Sequence, residues 1–287
     1  MKIGIVTCKE VSSLTTSEQA LLSLFGKKNI IAEALVWDDP SINWAIYDNL
    51  IIRSIWDYHL HPETFSAWLR RIENYGIKTL NPISTIRSNQ HKFYLKKLEE
   101  EGVKIVPSLF IDQTPDLDLS RLKELEWQQA VIKPAISASA FLTEMFVPKE
   151  VAKVQKKYKT IAFERDLLVQ KFMPEVQSFG ELSLLFFNGH YSHTVLKKAA
   201  SGEFRVQSEY GGITKPFEPD NSIIATASHI LSQFGEGILY ARVDGLIKEG
   251  EFILMEIELI EPDLFFEYRK GSIEMFVAAA IQMMEQE

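Results

Sequence analysis

The sequence is poor in cysteine and has no long apolar run. Cys8 is the one cysteine among 287 residues, so no disulfide forms within the chain, which is typical of proteins of a reducing compartment. The longest nearly apolar stretch, around Phe276 to Met284, is far shorter than the ~20 residues that a membrane helix requires. The first residues, MKIGIVTC, lack the apolar core and the small-residue cleavage site of a signal peptide. We therefore expect a cytoplasmic protein with no membrane partner.

The chain also lacks an excess of positive charge. It carries 31 lysines and arginines against 39 aspartates and glutamates, a net charge of −8. It therefore has no broad basic field for a polyanion, and nucleic acid is not expected as a partner. Internal repeats and low-complexity tracts are absent from the sequence. The composition, 46% hydrophobic and 24% charged, is that of an ordinary globular protein, and the length suffices for about two domains.

The pattern of elements changes along the chain. Strand and helix patterns alternate over roughly the first 85 residues, which predicts a parallel sheet with helices on both faces. Within this part, Thr15-Thr-Ser-Glu18 has the spacing of a helix capping box. A helix predicted over Asn89 to Glu101 opens a middle section, and Asn188-Gly189 indicates a hairpin in a strand-rich last section. The sequence thus predicts an α/β fold that becomes α+β in its C-terminal part, divided into residues 1–87, 88–172 and 173–287.

Three carboxylates are predicted to converge in the last section. Glu256 and Glu258 share one face of a strand because side chains alternate with period two. The turn at Glu249-Gly250 brings Asp244 of the preceding strand roughly opposite them. Carboxylates this close repel one another unless a cation neutralises them, and hard oxygen ligands suit Mg²⁺, which usually also takes substrate phosphates. The alternative is the solvated outer face of a two-stranded ribbon.

Lys133 ends an apolar strand and is followed by small residues, among them Ser137 and Ser139. Such a segment can aim an ammonium and several main-chain N–H groups at a phosphate. The loop contains no glycine, so it is not a Walker loop. An ordinary loop after a core strand is the alternative.

A second apolar strand runs into a polar hinge, Gln170-Lys171-Phe172-Met173-Pro174. Main-chain groups of such a hinge can meet the edge of a purine, with Phe172 and Met173 as apolar walls. A core strand and its exit is the alternative.

These three segments, in this order and spacing, resemble the ATP-grasp superfamily, and within it the glutathione synthetase-like branch, from about Ser88 to the C-terminus. The resemblance implies an ATP-grasp fold with an N-terminal parallel-sheet domain, a small ATP-binding subdomain and a large subdomain that holds the metal. In such proteins two lysines and a loop meet the phosphates, the hinge meets the adenine, and an acidic residue meets the ribose. The ATP-binding residues implied here are Lys92, Lys133, Ser137, Ser139, Gln170, Lys171, Phe172 and Glu181.

The same resemblance implies the remaining parts of the site. Arg205 and Arg242 are expected to face an acyl-phosphate and to be catalytic. The metal ligands fall on Asp244, Glu256 and Glu258, the last being a glutamate where many relatives have asparagine. That difference keeps an oxygen ligand but adds a negative charge.

Over roughly the first 85 residues the resemblance is to a narrower group of this superfamily. The loop Arg53-Ser-Ile-Trp-Asp-Tyr-His59, with Phe204-Arg-Val-Gln207 and Ile260-Glu-Pro-Asp263, is similar to the group that includes the cyclo-ligase closing O-ureido-serine to cycloserine. Ligands gather beyond the carboxyl ends of parallel strands. A guanidinium fork suits a substrate carboxylate and an aspartate suits an ammonium, although these two side chains could instead pair and brace the loop. The candidate substrate residues are therefore Arg53, Trp56 and Asp57.

The chemistry implied is ATP-dependent ligation of a carboxylate to an amine or related nucleophile, on an amino-acid or small-peptide substrate. ATP and a pair of Mg²⁺ ions are the expected cofactors, and ADP is a product. The carboxylate attacks the γ-phosphate to give an acyl-phosphate, and positioned charges rather than a nucleophilic side chain supply the catalysis. Alternatives are an intramolecular cyclo-ligase of the cycloserine type and a non-catalytic nucleotide-binding protein. The oligomeric state is open, with a homodimer as one option.

Overall fold

The computed structural model describes residues 1–200, 202–203, 205–206 and 210–286. The strands of its first section are β1 (Lys2–Thr7), β2 (Ile31–Val36), β3 (Asn49–Ile52) and β4 (Lys78–Leu80). They form one parallel sheet of order β2-β1-β3-β4, as the alternating pattern predicts. The helices of this section are α1 (Thr16–Gly26), α2 (Pro62–Asn74) and α3 (Ile83–Gln90).

The middle section is an antiparallel sheet with one long helix. Its helices are α4 (Tyr94–Glu100) and α5 (Val151–Glu164), and its strands are β5 (Ser108–Ile111), β6 (Ala130–Pro134), β7 (Glu144–Phe146) and β8 (Leu167–Lys171). The strand order is β5-β8-β6-β7. Alternating buried and half-buried positions along β6 leave Lys133 on the side opposite the buried Ile132.

The last section is a larger antiparallel sheet between helices. Its strands are β9 (Glu181–Phe187), β10 (His190–Lys198), β11 (Ile213–Phe217), β12 (Tyr240–Lys248) and β13 (Glu251–Glu258). Its helices are α6 (Glu175–Ser178), α7 (Asn221–Ser232) and α8 (Ser272–Glu285). The strand order is β11-β10-β9-β12-β13, so the α/β and α+β parts occur where the sequence predicts them.

Short 3-10 helices connect several of these elements. They lie at Lys9–Val11, Trp44–Ile46, Tyr58–Leu60, Ser120–Lys123, Pro148–Glu150 and Phe266–Tyr268. No helix in the described part of the chain is long and apolar enough to cross a bilayer.

The strand β11 was not expected from the sequence. It contains Pro216 and mostly exposed side chains, a combination that hides a strand pattern. Proline cannot donate to a ladder and is therefore confined to sheet edges. The position of β11 at the edge of the five-stranded sheet is consistent with that limit.

The helix predicted over Asn89 to Glu101 is wrong, because the structure contains two helices with a break between them. The helix α3 ends at Gln90, and α4 begins at Tyr94. In the break, the main-chain N–H of Lys92 donates to the carbonyl of Ala135 at 2.9 Å. Inside a continuous helix the N–H of Lys92 would bond to the carbonyl of the preceding turn. The break frees this N–H to bond to Ala135, the residue that follows β6.

The first and last sections share one apolar core. Ile5 of β1 packs in the same cluster as Phe187 of β9 and Phe276 of α8. The C-terminal helix α8 also lies against α1. Each of the three ranges that we propose as domains contains the strands of one sheet, but their cores are continuous.

Arg53 and Glu18 form a buried ion pair that fixes the end of β3. Thr15 and Glu18 form the predicted capping box, which is confirmed, and the same carboxylate accepts from Arg53 Nε at 3.0 Å. The Arg53 side chain is 2% exposed, and its Nη2 donates to the carbonyl of Pro262 at 2.7 Å. Arg53 therefore ties α1 and the end of β3 to the segment after β13.

We expect Arg53→Lys to destabilise the fold. The lysine keeps the charge but has no fork, so one buried acceptor loses its donor, and the free energy of unfolding should fall by about 1–3 kcal/mol. Arg87→Lys is the matched control, because Arg87 pairs with Glu73 at the surface, with side-chain exposures of 39% and 53%, and such pairs contribute little. Thermal and denaturant unfolding measure both variants. Equal stability of Arg53→Lys and the wild type would contradict the structural role of the fork.

Candidate active site

A cavity of about 390 Å³ lies where the middle and last sheets face each other. Residues of β6, β8, β9, β10, β12 and β13 line it, and Trp56 and Tyr58 of the first section reach its wall. Its basic side chains are Lys92, Lys133, Lys171, Lys197, Arg205 and Arg242. Its acidic side chains are Glu181, Asp244, Glu256, Glu258, Glu261 and Asp263.

The hairpin of β12 and β13 carries the central charges. Arg242 is paired in register with Glu258, and Asp244 with Glu256, so these four side chains share one face, as predicted. Arg242 Nη2 contacts Asp244 Oδ2 at 2.9 Å and also contacts Glu258 Oε1. The hydroxyl of Ser183 on β9 donates to Asp244 at 2.6 Å. The charged side chains of the hairpin are therefore paired with one another and line a cavity, and they do not form the solvated face of a two-stranded ribbon.

The ionisation of these carboxylates depends on their partners. Burial opposes the charge of Asp244, but Arg242 and Lys197 outweigh it and lower the pKa of Asp244. Burial raises the pKa of Glu258 to about 7, because Arg242 only partly offsets it and Asp244 and Glu256 add like charge. The hairpin thus holds one firmly ionised carboxylate and one that accepts a proton near neutrality.

The three predicted metal ligands, Asp244, Glu256 and Glu258, all line the cavity. Each contacts a lysine or arginine of the chain, and no three His, Cys, Asp or Glu side chains among the described residues are arranged as a metal site. Their oxygen chemistry fits Mg²⁺, since all three offer carboxylates to one cavity. Their role as ligands stays a prediction.

Lys92 reaches the cavity from the break between α3 and α4. Its Nζ lies 2.7 Å from Glu256 Oε1 and donates to the carbonyl of Ser137 at 2.8 Å. Burial opposes the ammonium, but the charge of Glu256 outweighs it and raises the pKa of Lys92. Lys92 therefore stays charged while it connects the hairpin to the loop after β6.

Lys133 lies on the same side of the cavity but is held more loosely. Its Nζ is 3.8 Å from Glu256 Oε2. Burial lowers the pKa of Lys133, and the attraction of Glu256 offsets only part of that effect. A second anion near Lys133 would stabilise its charge.

Lys197 on β10 is a cavity cation that the sequence reasoning missed. Its Nζ lies 2.5 Å from Glu181 and 3.5 Å from Asp244. The signal was present, because the Asn188-Gly189 hairpin places Lys197 opposite Glu181 in register. Gly180 allows this approach, since its φ is +122° and a Cβ there would lie 2.6 Å from the Lys197 carbonyl oxygen. Glu181, the predicted ribose contact, is thus paired with Lys197 in this structure.

The hinge after β8 forms the apolar end of the cavity. The N–H of Lys171 donates to Pro107 and that of Phe172 to Gln129, and the Gln170 amide donates to Ser108 Oγ at 3.2 Å. In the described part of the chain, the N–H of Met173 has no acceptor. The apolar side chains that line this end are Val106, Val131, Met173, Val176, Val206 and Met255. The hinge therefore offers one main-chain donor beside an apolar slot.

The loop after β6 covers the cavity. Ser137 is held by Lys92 and by its own hydroxyl, which donates to Pro134 at 3.0 Å. Ser139 and Ala140 have φ values of 48° and 55°, a left-handed conformation that is uncommon outside glycine. The next residue, Phe141, packs its ring 5.1 Å from that of His59. The loop thus contacts the first section as well as Lys92.

Arg205 lines the cavity, as does Arg242. Arg205 pairs with Glu203 at 2.7 Å and lies over the ring of Tyr210 at 3.5 Å. Phe204 and Gln207 of the same motif lie outside the described residues.

Of the three residues predicted to bind substrate, one lines the cavity and two do not. Arg53 is held by Glu18 and Pro262 inside the fold and is not a cavity-lining residue. Asp57 accepts from the indole N–H of Trp37 at 2.8 Å, so Arg53 and Asp57 do not pair with each other either. Trp56 does line the cavity, and its Nε1 donates to the carbonyl of Glu261 at 3.2 Å.

Known proteins resemble this chain along its whole length. A family model described as the N-terminal domain of D-cycloserine synthetase DcsG matches residues 3–81. Cycloserine biosynthesis protein DcsG of Streptomyces lavendulae is 23% identical over 279 residues, covering 89% of this chain and 90% of that protein.

Solved structures agree with these sequence matches. The crystal structure of D-cycloserine synthetase DcsG has a TM-score of 0.86 at 20% identity, covering 99% of this chain and 100% of that chain. D-alanine–D-alanine ligase from Bacillus anthracis, complexed with ATP, has a TM-score of 0.74 at 17% identity, covering 99% of this chain and 97% of that chain. The resemblance drawn from the motifs is confirmed: this chain has the fold of the ATP-grasp ligases and resembles the cycloserine synthetase group among them.

Proposed function

We propose that this protein is an ATP-dependent, ADP-forming ligase that activates the carboxylate of an amino-acid-like substrate as an acyl-phosphate. The observation that carries the proposal is the cavity wall, where Lys92, Lys133, Lys197 and Arg242 face the carboxylates of one hairpin. Phosphoryl transfer needs positioned charge more than covalent chemistry. This wall supplies that charge beside a slot suited to a purine.

The reaction proceeds in two displacements. A carboxylate oxygen of the substrate attacks the γ-phosphorus, the bond to the β–γ bridging oxygen breaks, and ADP leaves. The amine or related nucleophile then attacks the acyl carbon, phosphate leaves with the oxygen, and the nucleophile loses a proton. Lys92 and Lys133 neutralise the phosphates, and Arg205 and Arg242 stabilise the transferring phosphoryl group.

Asp244, Glu256 and Glu258 are the residues that would hold Mg²⁺, and we propose two ions. Mg²⁺ supplies charge neutralisation between these carboxylates and the phosphates when it is bound. Ser137, Ser139 and the rest of their loop exclude water, which protects an acyl-phosphate from hydrolysis. At the apolar end, the hinge residues Gln170, Lys171 and Phe172 position the adenine.

A second candidate is intramolecular ligation of the cycloserine type. The family model that matches residues 3–81 favours it, because that model describes the N-terminal domain of a D-cycloserine synthetase, and this range contains Trp56, which lines the cavity. One molecule would then supply both the carboxylate and the nucleophile. A non-catalytic nucleotide-binding protein would release no ADP and is separated from both by the assay below.

The proposal extends to the surroundings of the enzyme. We propose a cytoplasmic location, since Cys8 is free and buried, and small-molecule partners rather than nucleic acid or membrane. A homodimer stays one option for its assembly.

The function is tested by ADP and phosphate release. We expect ATP with Mg²⁺ alone to be turned over slowly, and one or more members of a panel of D- and L-amino acids, dipeptides and O-ureido-serine to stimulate release. Stimulation by O-ureido-serine alone, without a second amine, would select the cyclo-ligase. ATP binding without stimulated release by any panel member would contradict the proposed ligase activity.

We expect Glu256→Gln to abolish the metal-dependent reaction. The amide keeps the shape but removes the charge, so turnover should fall by about 100-fold or more, and Mg²⁺ should no longer strengthen ATP binding. Circular dichroism establishes that the fold survives. A variant that remains active and Mg²⁺-dependent would remove Glu256 from the metal site.

Lys133→Met tests the phosphate role of this lysine. Methionine keeps the apolar stem and deletes the charge, so calorimetry should show ATP binding weakened by about 10- to 100-fold. The melting temperature of the nucleotide-free protein should not fall, because the long 3.8 Å contact with Glu256 is the one ion pair that Lys133 makes with the described residues. Lys153→Met, on the exposed face of α5, is the control and should leave ATP binding unchanged. Equal affinities in all three proteins would count against the assignment.

A further inference from the structure

One carboxylate that lines the cavity makes no ion pair with the part of the chain that the structure describes. Glu181 is paired with Lys197, Asp244 and Glu258 with Arg242, and Glu256 with Lys92. Asp263 is exposed and accepts from a main-chain N–H. The carboxylate of Glu261, by contrast, has no ion pair or hydrogen bond with any described residue, although it lines the cavity.

The main chain around Glu261 is held on every side. The carbonyl of Ile260 accepts from Tyr240 Oη at 2.8 Å, and that of Glu261 accepts from Trp56 Nε1 at 3.2 Å. Arg53 Nη2 donates to the carbonyl of Pro262 at 2.7 Å, and Arg242 Nη1 donates to that of Asp263 at 3.3 Å. Four consecutive carbonyls are thus fixed by four side chains. These hydrogen bonds hold the main chain in place, and they thereby position the Glu261 side chain, which faces the cavity.

The surroundings of Glu261 suit a cation. Burial raises the pKa of Glu261 well above its ordinary value and the like charges of Glu258 and Glu256 add to this effect, while Lys92 and Arg242 offset only part of it, so an ionised carboxylate here requires a further positive partner. The aromatic side chains of Trp56, Tyr58 and Phe265 line the same cavity. Ring faces attract ammonium groups.

We propose that Glu261 binds the ammonium group of the substrate whose carboxylate is activated, and that Arg53 acts on this substrate only by positioning Glu261. The inference rests on the proposed ligase function and specifies its substrate class as a molecule that carries both an ammonium and a carboxylate. The carboxylate then lies toward Arg242, and the ammonium lies toward these aromatic side chains. Arg53, which was expected to contact substrate directly, instead holds the main chain beside Glu261.

The experiment compares ligands with and without an ammonium. The probes are D- and L-serine and D- and L-O-ureido-serine, with 3-hydroxypropionate as the analogue of serine that lacks the ammonium. Calorimetry with Mg²⁺ and ADP present should show that the wild type binds at least one ammonium-bearing probe about 10- to 100-fold more tightly than 3-hydroxypropionate. In Glu261→Gln this preference should disappear, while ADP affinity and melting temperature stay unchanged.

Glu267→Gln is the matched control. Glu267 lies on the same segment, is exposed and does not line the cavity, so the preference for the ammonium should persist in this variant. The proposal is overturned if Glu261→Gln retains the preference, or if the wild type binds none of the four ammonium-bearing probes. ADP release with an unchanged preference in Glu261→Gln would overturn this inference alone. A Glu261-dependent preference without any ADP release would overturn the ligase reaction and leave the ammonium site standing.

Discussion

The pairing of buried charges across the cavity is the constraint on which the rest of this structure depends. A buried carboxylate or ammonium loses most of its hydration, so each needs an opposite charge with good geometry. The last sheet supplies Glu256, and the middle section supplies Lys92 at 2.7 Å and Lys133 at 3.8 Å. These contacts join two sections that have separate sheets. The break after Gln90 contains Lys92, whose ammonium makes one of these contacts.

How much of this structure the sequence predicts depends on how far apart in the chain the interacting residues lie. The capping box of Thr15, the Asn188-Gly189 hairpin and the shared face of Glu256 and Glu258 are local patterns, and each occurs as predicted. The break at Lys92 was missed because its cause is a hydrogen bond to Ala135, a residue of another section. Helical periodicity contains no information about such a partner.

The Arg53 loop shows a different limit of sequence reasoning. A guanidinium fork fits a substrate carboxylate and a protein carboxylate equally well, so residue type alone could not separate the two. In the structure the partner is Glu18, which lies 35 positions away in the chain. Glu261 was passed over for the converse reason. It follows a strand that had already provided two acidic candidates, and only the structure shows that those two are paired while Glu261 is not.

Under the proposed function, ligand binding exchanges ion pairs without leaving a buried charge alone. Lys92, Lys133 and Arg242 turn from carboxylates to phosphate oxygens, and the carboxylates of the hairpin keep a positive partner in the metal. Each basic group exchanges one anionic partner for another, and each acidic group exchanges one cationic partner for another. Every buried charge therefore keeps a partner that offsets its desolvation cost. Glu261 has no ion pair with the described residues that such an exchange would break. In the proposed complex its positive partner is the ammonium group of the substrate, which couples recognition of the substrate to the assembly of the reacting groups.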